Sequence, residues 1–352
     1  MTHLCVLIVK FNYYSLNNSS HTTDWENKIF QVSINNFDRT AIELFNFQYH
    51  NNPLYRSYAD SLQIEPGQVD SIEKIPFLPI RFFKTHEIKT TDFEPQIIFE
   101  SSGTTQAVKS RHYVKNIPLY KKSFCRAFRL FYGREDEWCI VALLPSYLER
   151  KNASLVCMAD ELIRRSLHPL SGFYLDDLEK LHQLLLHNEI LKQPTLLIGV
   201  TFALLDFTEK YKMQLKHTVI METGGMKGRR KEIIREELYS RLQERFGTLS
   251  VHSEYGMTEL MSQAYSRREG LFKCVPWMKV LLRQEDDPFQ INAFPKDKKQ
   301  LTGLINIIDL ANIYSCSFIA TDDIGRLYQT GYFEVLGRSD ATDTRGCNLL
   351  VV

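Results

Sequence analysis

The chain has 352 residues, 44% of them apolar and 24% charged, a balance that suits one large α/β unit with a smaller appendage. Forty-three basic side chains against forty-two acidic ones leave a formal charge of +1, which excludes neither fold nor enzyme class but gives no reason to expect a nucleic-acid partner or an acidic membrane surface. No apolar run is long enough for a membrane span, Leu4 to Val9 is too short for a signal core, and seven cysteines without a C-x-x-C pair speak against zinc and against a disulfide framework. The expectation is a reduced, cytoplasmic protein.

In chain order, Thr23-Asp24-Trp25-Glu26 reads as a capping box. The helix it opens would bury Trp25, Ile29, Phe30, Phe37, Ala41 and Leu44 on one face. Ile75-Pro76-Phe77-Leu78-Pro79-Ile80 holds too much proline for a helix or a central strand and is expected to be a packed extended segment. Gln96–Phe99 is an apolar run followed by Glu100-Ser101-Ser102-Gly103-Thr104-Thr105. Such a loop can turn its backbone N–H groups and hydroxyls around a phosphate, with Lys109 adding a charge; the plainer alternative is a polar turn after a strand. Gly103 to Ser110 matches the Walker pattern G-x-x-x-x-G-K-[ST] except at Val108, where the second glycine is needed, so a Walker nucleotidase is disfavoured.

Further short apolar runs follow at Trp138–Leu144, Leu196–Val200, Val219–Met221 and Leu249–His252. Helical patterns lie between them, including Leu175 to Leu191 with Asp176 and Asp177 in the first turn, and Arg230 to Phe246 with Ile234, Leu238, Leu242 and Phe246 on one side. Strand–loop–helix alternation predicts a largely parallel sheet covered by helices, with ligands at the carboxyl ends of its strands. The phosphate loop, the glycine loop after Met221 and the loop after His252 all take that position. From about Gly270 the segments shorten and turn signals multiply, which predicts a small β subdomain.

Three further stretches give these loops a common meaning. Glu254-Tyr255-Gly256-Met257-Thr258-Glu259, then Thr321-Asp322-Asp323, then Gly337-Arg338-Ser339-Asp340 follow Ser-Ser-Gly-Thr-Thr in an order that resembles the adenylate-forming enzymes: acyl-CoA synthetases, luciferases and related ligases. Within that superfamily the chain is most similar to the Lux-type acyl-protein synthetase, the fatty-acid ligase component of bacterial bioluminescence. The likeness is carried by Ser110-Arg111-His112 after the phosphate loop, by Ile75–Ile80 with Phe83-Lys84, and by Thr223-Gly224-Gly225-Met226-Lys227-Gly228. Gln106 departs from the glycine usual there. The chain also stops just past Gly337-Arg338, where many adenylating enzymes add a mobile domain with a catalytic lysine that the shorter family largely lacks.

The resemblance implies an adenylate-forming α/β fold of layered, mostly parallel sheets without the mobile lysine domain. It implies an α/β nucleotide- and acyl-binding core over 1–269, a small β subdomain over 270–336 and a hinge-like tail over 337–352. It further implies ATP and Mg²⁺ as cofactors of a ligase that joins a carboxylate of the fatty-acid class to the α-phosphate. Ser101, Ser102, Gly103, Thr104, Thr105 and Lys109 would hold phosphates. Gly224, Gly225, Tyr255 and Gly256 would meet the adenine, Asp322 or Asp323 the ribose, with Arg338 assisting. Thr258 would reach the α-phosphate and Glu259 the Mg²⁺, a hard cation that prefers oxygen. The plainer alternative for Glu259 is an exposed glutamate at a helix start, and His112 reads as a pocket or phosphate residue or as a structural histidine. Lys227, Arg229 and Arg230 serve either a bound anion or a solvated basic face.

The family's acyl-bearing cysteine near the C-terminus would be Cys347, beside Arg345; it reads equally as a small apolar residue in a final strand. The expected activity is formation of an acyl adenylate and transfer to a thiol: the chain's own cysteine, or an acyl-accepting or acyl-donating protein such as a carrier. The alternatives are a CoA or carrier-protein ligase resembling phenylacetate–CoA ligase, and a catalytically silent nucleotide-binding scaffold.

Overall fold

The computed structural model describes residues 24–102, 108–145, 150–224, 233–268, 270–284, 290–291, 294 and 298–339. The first helical pattern is split rather than continuous. Residues 24–28 are helical and pass into a 3₁₀ turn at Ile29–Gln31, and a new helix, α1, runs over Phe37–Asn51. Asn36 breaks the pattern: its side chain accepts from the Ser33 N–H at 2.7 Å, an alternative to helical pairing. Thr23 lies outside the described residues, and the Glu26 carboxylate accepts from Asn116 at 2.8 Å and Tyr314 at 2.7 Å. It ties the N-terminal turn to distant segments.

Helix α2 (Pro53–Ser61) starts at Asn52, whose side chain caps the Tyr55 N–H at 3.0 Å. The proline-rich segment is extended as expected. Its strand β1 (Leu78–Pro79) pairs in parallel with Ile319–Ala320, held from the helix side by Tyr55 and Tyr58 hydroxyls donating to the Pro76 and Phe77 carbonyls at 2.6 and 2.9 Å. The short helix α3 (Phe82–Thr85) follows. Strands β2 (Ile97–Glu100) and β3 (Arg111–Val114) form an antiparallel hairpin of their own. The phosphate loop is therefore the connection of this hairpin, not the end of a parallel strand.

The parallel sheet predicted from alternation is β4 (Cys139–Leu143), β5 (Gly172–Phe173), β6 (Thr195–Val200), β7 (Thr218–Thr223) and β8 (His252–Tyr255), in the order β5-β4-β6-β7-β8. Every residue of β4 and β6 is buried, as expected of apolar runs covered on both faces. The intervening helices are α4 (Ile117–Tyr132), α5 (Ser154–Ser166), α6 (Leu178–Leu191), α7 (Thr201–Lys210) and α8 (Arg235–Phe246). Asp177 lies outside α6 as its cap, accepting from the Lys180 N–H at 3.0 Å. Helix α8 begins at Arg235, leaving Ile234 exposed at its cap, while Leu238, Leu242 and Phe246 are buried as the pattern requires. It ends at Gly247 with φ +64°, a backbone that glycine adopts without strain.

The large sheet does not stop at β8. It continues antiparallel through β9 (Ala264–Ser266) and β10 (Phe272–Cys274) to β14, β13, β12 and β11. Strands β11 (Met278–Arg283), β12 (Gln300–Asp309), β13 (Phe318–Tyr328) and β14 (Phe333–Arg338) are the β-rich segment seen in the sequence. They join one 12-stranded mixed sheet, so parallel pairing is confined to one half of it, plus β1 on β13.

Candidate functional site

The predicted strand Leu249–His252 is shifted three residues along the chain. Leu249 is fully exposed, and pairing with β7 starts at His252. The shift makes Tyr255 the last residue of β8 and frees residues 256–263 from regular structure. Tyr255 donates to Asp323 Oδ2 at 2.7 Å, while Arg338 Nε donates to Asp323 Oδ1 at 3.2 Å. The β13–β14 register places Asp323 directly opposite Arg338, so three residues far apart in sequence meet by strand pairing. Burial and the Asp323 carboxylate push the Tyr255 hydroxyl well above its ordinary range. Phe272 and Phe333 hold the Tyr255 ring at centroid distances of 5.8 and 5.6 Å. Asp322 points elsewhere, toward Arg81 at 3.9 Å.

Beside this trio runs the β7–β8 edge. The register pairs Thr223 with Glu254, which sets Gly224 next to Tyr255, and Thr223 Oγ1 donates to Glu254 Oε2 at 2.6 Å. Gly224 has φ +62°. At Gly256 a Cβ would come within 2.3 Å of Glu254 Oε1, so a side chain there would displace the Glu254 carboxylate from its place beside Thr223.

Glu259 is buried, not exposed at a helix start. Burial raises its carboxyl above the usual carboxylate range, while the Ser110 side chain, its own backbone N–H, Arg338 and Lys84 oppose the rise. Ser110 also donates its N–H to Ser101 Oγ at 3.0 Å and accepts from the Ser101 N–H at 3.1 Å. The start of the phosphate loop and Glu259 thus meet through Ser110. Thr258 and Glu259 are held by their carbonyls. His112 Nδ1 lies 2.8 Å from Thr258 O, Asn312 Nδ2 donates to Glu259 O at 2.8 Å, and His112 Nε2 lies 3.0 Å from Asn312 Oδ1. Burial lowers the His112 imidazole to about 4, against the raising effect of its contacts with Thr258 and Asn312. Its role is structural support of the turn. Just beyond, Asp309 accepts from the Met261 N–H at 2.7 Å, the Ser262 N–H at 3.0 Å and Ser262 Oγ at 2.6 Å.

Oxygen donors of this kind suit a hard cation, which typically takes one or two protein carboxylates and completes its shell with substrate phosphates and water. Glu259 fits that part, with Ser110 as its hydroxyl partner. Among the described residues no three metal-ligating side chains cluster, so no all-protein metal cage competes with this arrangement.

Several expected site residues stand apart from this cluster. Lys109 pairs with Glu100 at 3.3 Å instead of facing an open anion position. Ser102 is exposed at the edge of the described loop. Gly103, Thr104, Thr105, Gly225, Lys227, Arg229, Arg230 and Cys347 lie outside the described residues. The described cysteines are free, and burial raises all of them: Cys125 to about 11, Cys274 and Cys316 to about 12, with Cys139 and Cys157 moved the same way. None offers a ready thiolate. Sequence reasoning missed Ser110 as a partner of Glu259, and it missed Asp309 and Asn312 altogether.

A family model described as "Acyl-protein synthetase, LuxE" matches residues 31–352. The chain belongs to this family. Among solved structures it is similar to 2-hydroxyisobutyryl-CoA ligase in a postadenylation state with R3-HIB-AMP, at 12% identity and TM-score 0.62, covering 94% of this chain and 74% of that one. It is also similar to ATP-bound MatB from Rhodopseudomonas palustris, at 15% identity and TM-score 0.50, covering 71% of this chain and 50% of that one. These likenesses show a shared fold, and the chain spans about half the length of the MatB structure. A search of curated proteins gives no match. Among the described residues no helix is long and apolar enough to cross a membrane.

Proposed function

We propose that this acyl-protein synthetase family member uses ATP and Mg²⁺ to convert a carboxylic acid, of the fatty-acid class, into an acyl adenylate and then passes the acyl group to a thiol. The carrying observation is the convergence of Tyr255, Asp323 and Arg338 at one end of the loop after β8 with Glu259, Ser110 and Ser101 at the other. Adenine lies against Gly224, Gly256 and the Tyr255 ring, and the ribose hydroxyls donate to Asp323. The triphosphate runs toward Ser101 and the loop beyond it, with Thr258 near the α-phosphate. Mg²⁺ would be held by Glu259 and would supply charge neutralisation as pyrophosphate departs. Arg338 and Lys84 place positive charge on the same side. The acid's carboxylate attacks the α-phosphorus, forming the acyl–phosphate bond and breaking the bond to pyrophosphate.

The test is acid-dependent exchange of labelled pyrophosphate into ATP across a panel of acids of increasing chain length. Exchange with a medium- or long-chain acid is the expected result; no exchange with any acid leaves a nucleotide-binding scaffold. For the transfer step the expected acceptor is Cys347. ATP and a competent acid should leave a hydroxylamine-sensitive adduct there, absent from Cys347→Ser although adenylate still forms. Cys316, otherwise the next candidate, is buried with its thiol raised to about 12. Transfer to CoA is the second reading, favoured by the 94% coverage of this chain in the likeness to a CoA ligase; an adduct that forms only when CoA is supplied would select it.

A further inference from the structure

We propose that His112 and Asn312 are positioning residues that set the direction of the Glu259 carboxylate. The proposal rests on the reading of Glu259 as the metal-holding group. The two side chains grip consecutive carbonyls, those of Thr258 and Glu259, at 2.8 Å each. A carbonyl direction fixes the plane of its peptide unit, because that unit is rigid. The planes before and after Glu259 together determine its φ and ψ, and with them the direction of its Cα–Cβ bond. The bonds of both clamp residues go to backbone carbonyls, so they act through the backbone of Glu259.

The clamp is itself held. His112 sits in the β2–β3 register opposite Phe99, and the Phe83 ring meets it edge-on at 6.0 Å. The Asn312 carbonyl accepts from Gln48 Nε2 at 2.9 Å, and its N–H donates to the Asp309 carbonyl at 3.0 Å. Asp309 then pins the Met261 and Ser262 amides, so the turn is fixed on both sides of Glu259. Residues 256–263 form neither helix nor strand; one local backbone bond, Leu260 N–H to the Met257 carbonyl at 3.1 Å, closes the turn, and the clamp side chains fix the two carbonyls between. Partners that orient a metal ligand typically change metal affinity by about 10–100-fold when removed.

The experiment compares His112→Phe, Asn312→Leu and His112→Asn in the full chain, by Mg²⁺ titration of pyrophosphate exchange and by amide hydrogen exchange. His112→Phe and Asn312→Leu should raise the half-saturating Mg²⁺ by about tenfold or more and change the apparent ATP constant far less. His112→Asn places an amide nitrogen near the Nδ1 position and should recover most of the loss. Amides over 258–263 should exchange faster in His112→Phe while protection elsewhere is unchanged. The proposal is overturned by unchanged Mg²⁺ dependence in both disrupting variants. It is equally overturned by a loss spread evenly over Mg²⁺, ATP and whole-chain protection, or by His112→Asn faring no better than His112→Phe. If the wild type shows no pyrophosphate exchange at all, the adenylation reading fails by itself. Amide exchange over 258–263 then decides the clamp, with unchanged rates overturning it.

Discussion

Asp309 and Glu259 are both buried carboxylates beside the turn that follows β8, and they differ in how fully their oxygens are used. A carboxylate offers about four acceptor positions. Asp309 accepts four hydrogen bonds, from the N–H groups of Met261, Ser262 and Ala311 and from Ser262 Oγ. Glu259 is hydrogen-bonded to the Ser110 side chain, with Arg338 and Lys84 as its nearby charges. Burying acceptor capacity without filling it is unfavourable unless something else occupies it. Asp309 is filled by the fold's own donors, whereas Glu259 has fewer partners among the described residues, the contrast expected if it is to meet a ligand.

The largest expected effect is on stability. Asp309→Ala leaves three backbone amides without their acceptor, and at about 1–3 kcal/mol for each buried group left unpaired it should cost 3 kcal/mol or more. Urea unfolding measures this, and a loss below about 1 kcal/mol would remove the distinction between the two acids. Glu259→Gln should invert the pattern. Stability is expected to stay within about 1 kcal/mol of the wild type, while Mg²⁺-dependent pyrophosphate exchange falls by about two orders of magnitude, a loss of roughly 2.7 kcal/mol in transition-state stabilisation. Retained exchange in Glu259→Gln would break the assignment of the metal to it.

Tyr255→Phe is a smaller perturbation. It removes the hydroxyl that occupies Asp323 Oδ2, a hydrogen bond worth about 0.5–1.5 kcal/mol. It should change half-saturation by ATP several-fold and leave Mg²⁺ dependence unaltered, which isothermal titration can resolve. A further test sharpens the Asp309 side of the comparison through pH. Burial raises the Asp309 carboxyl from its ordinary 3.8 to about 6 in the folded chain. As pH falls from about 7 to about 4 the native state takes up this proton before the unfolded state does, so Asp309 adds stability on acidification and loses it again as pH rises through its folded value. The stability deficit of Asp309→Asn should therefore widen over that descent, as followed by thermal melts at several pH values.

Much of the frame was legible in the sequence because it was written as uninterrupted apolar runs. β4 and β6 lie within a residue or two of their expected bounds because every side chain in them is buried. β8 was misplaced for the converse reason. Its Ser253 and Glu254 are polar yet buried, satisfied by neighbours on β7, while the apolar Leu249 beside it is exposed. The helix break near Asn36 hid in a side-chain turn inside an otherwise helical pattern. The large-scale error had a topological cause: adjacency of β2 to its polar loop looked like a parallel strand end, but its only strand partner among the described residues is β3. Motif resemblance singled out Tyr255, Asp323 and Glu259, and strand register brings Tyr255 and Asp323 into contact. His112 and Asn312 meet across 200 residues, and no local spacing announces such a contact.

The central claim is that one nucleotide spans the distance from Asp323 to Glu259. A crystal structure of the full chain with ATP, Mg²⁺ and a non-reactive acid analogue tests it most directly. The expected result is ribose hydroxyls on Asp323, adenine against Tyr255 and Gly256, and the cation between Glu259 and the phosphates. A nucleotide bound away from the loop after β8, or a cation held by the phosphates with Glu259 making no contact with it, would contradict it.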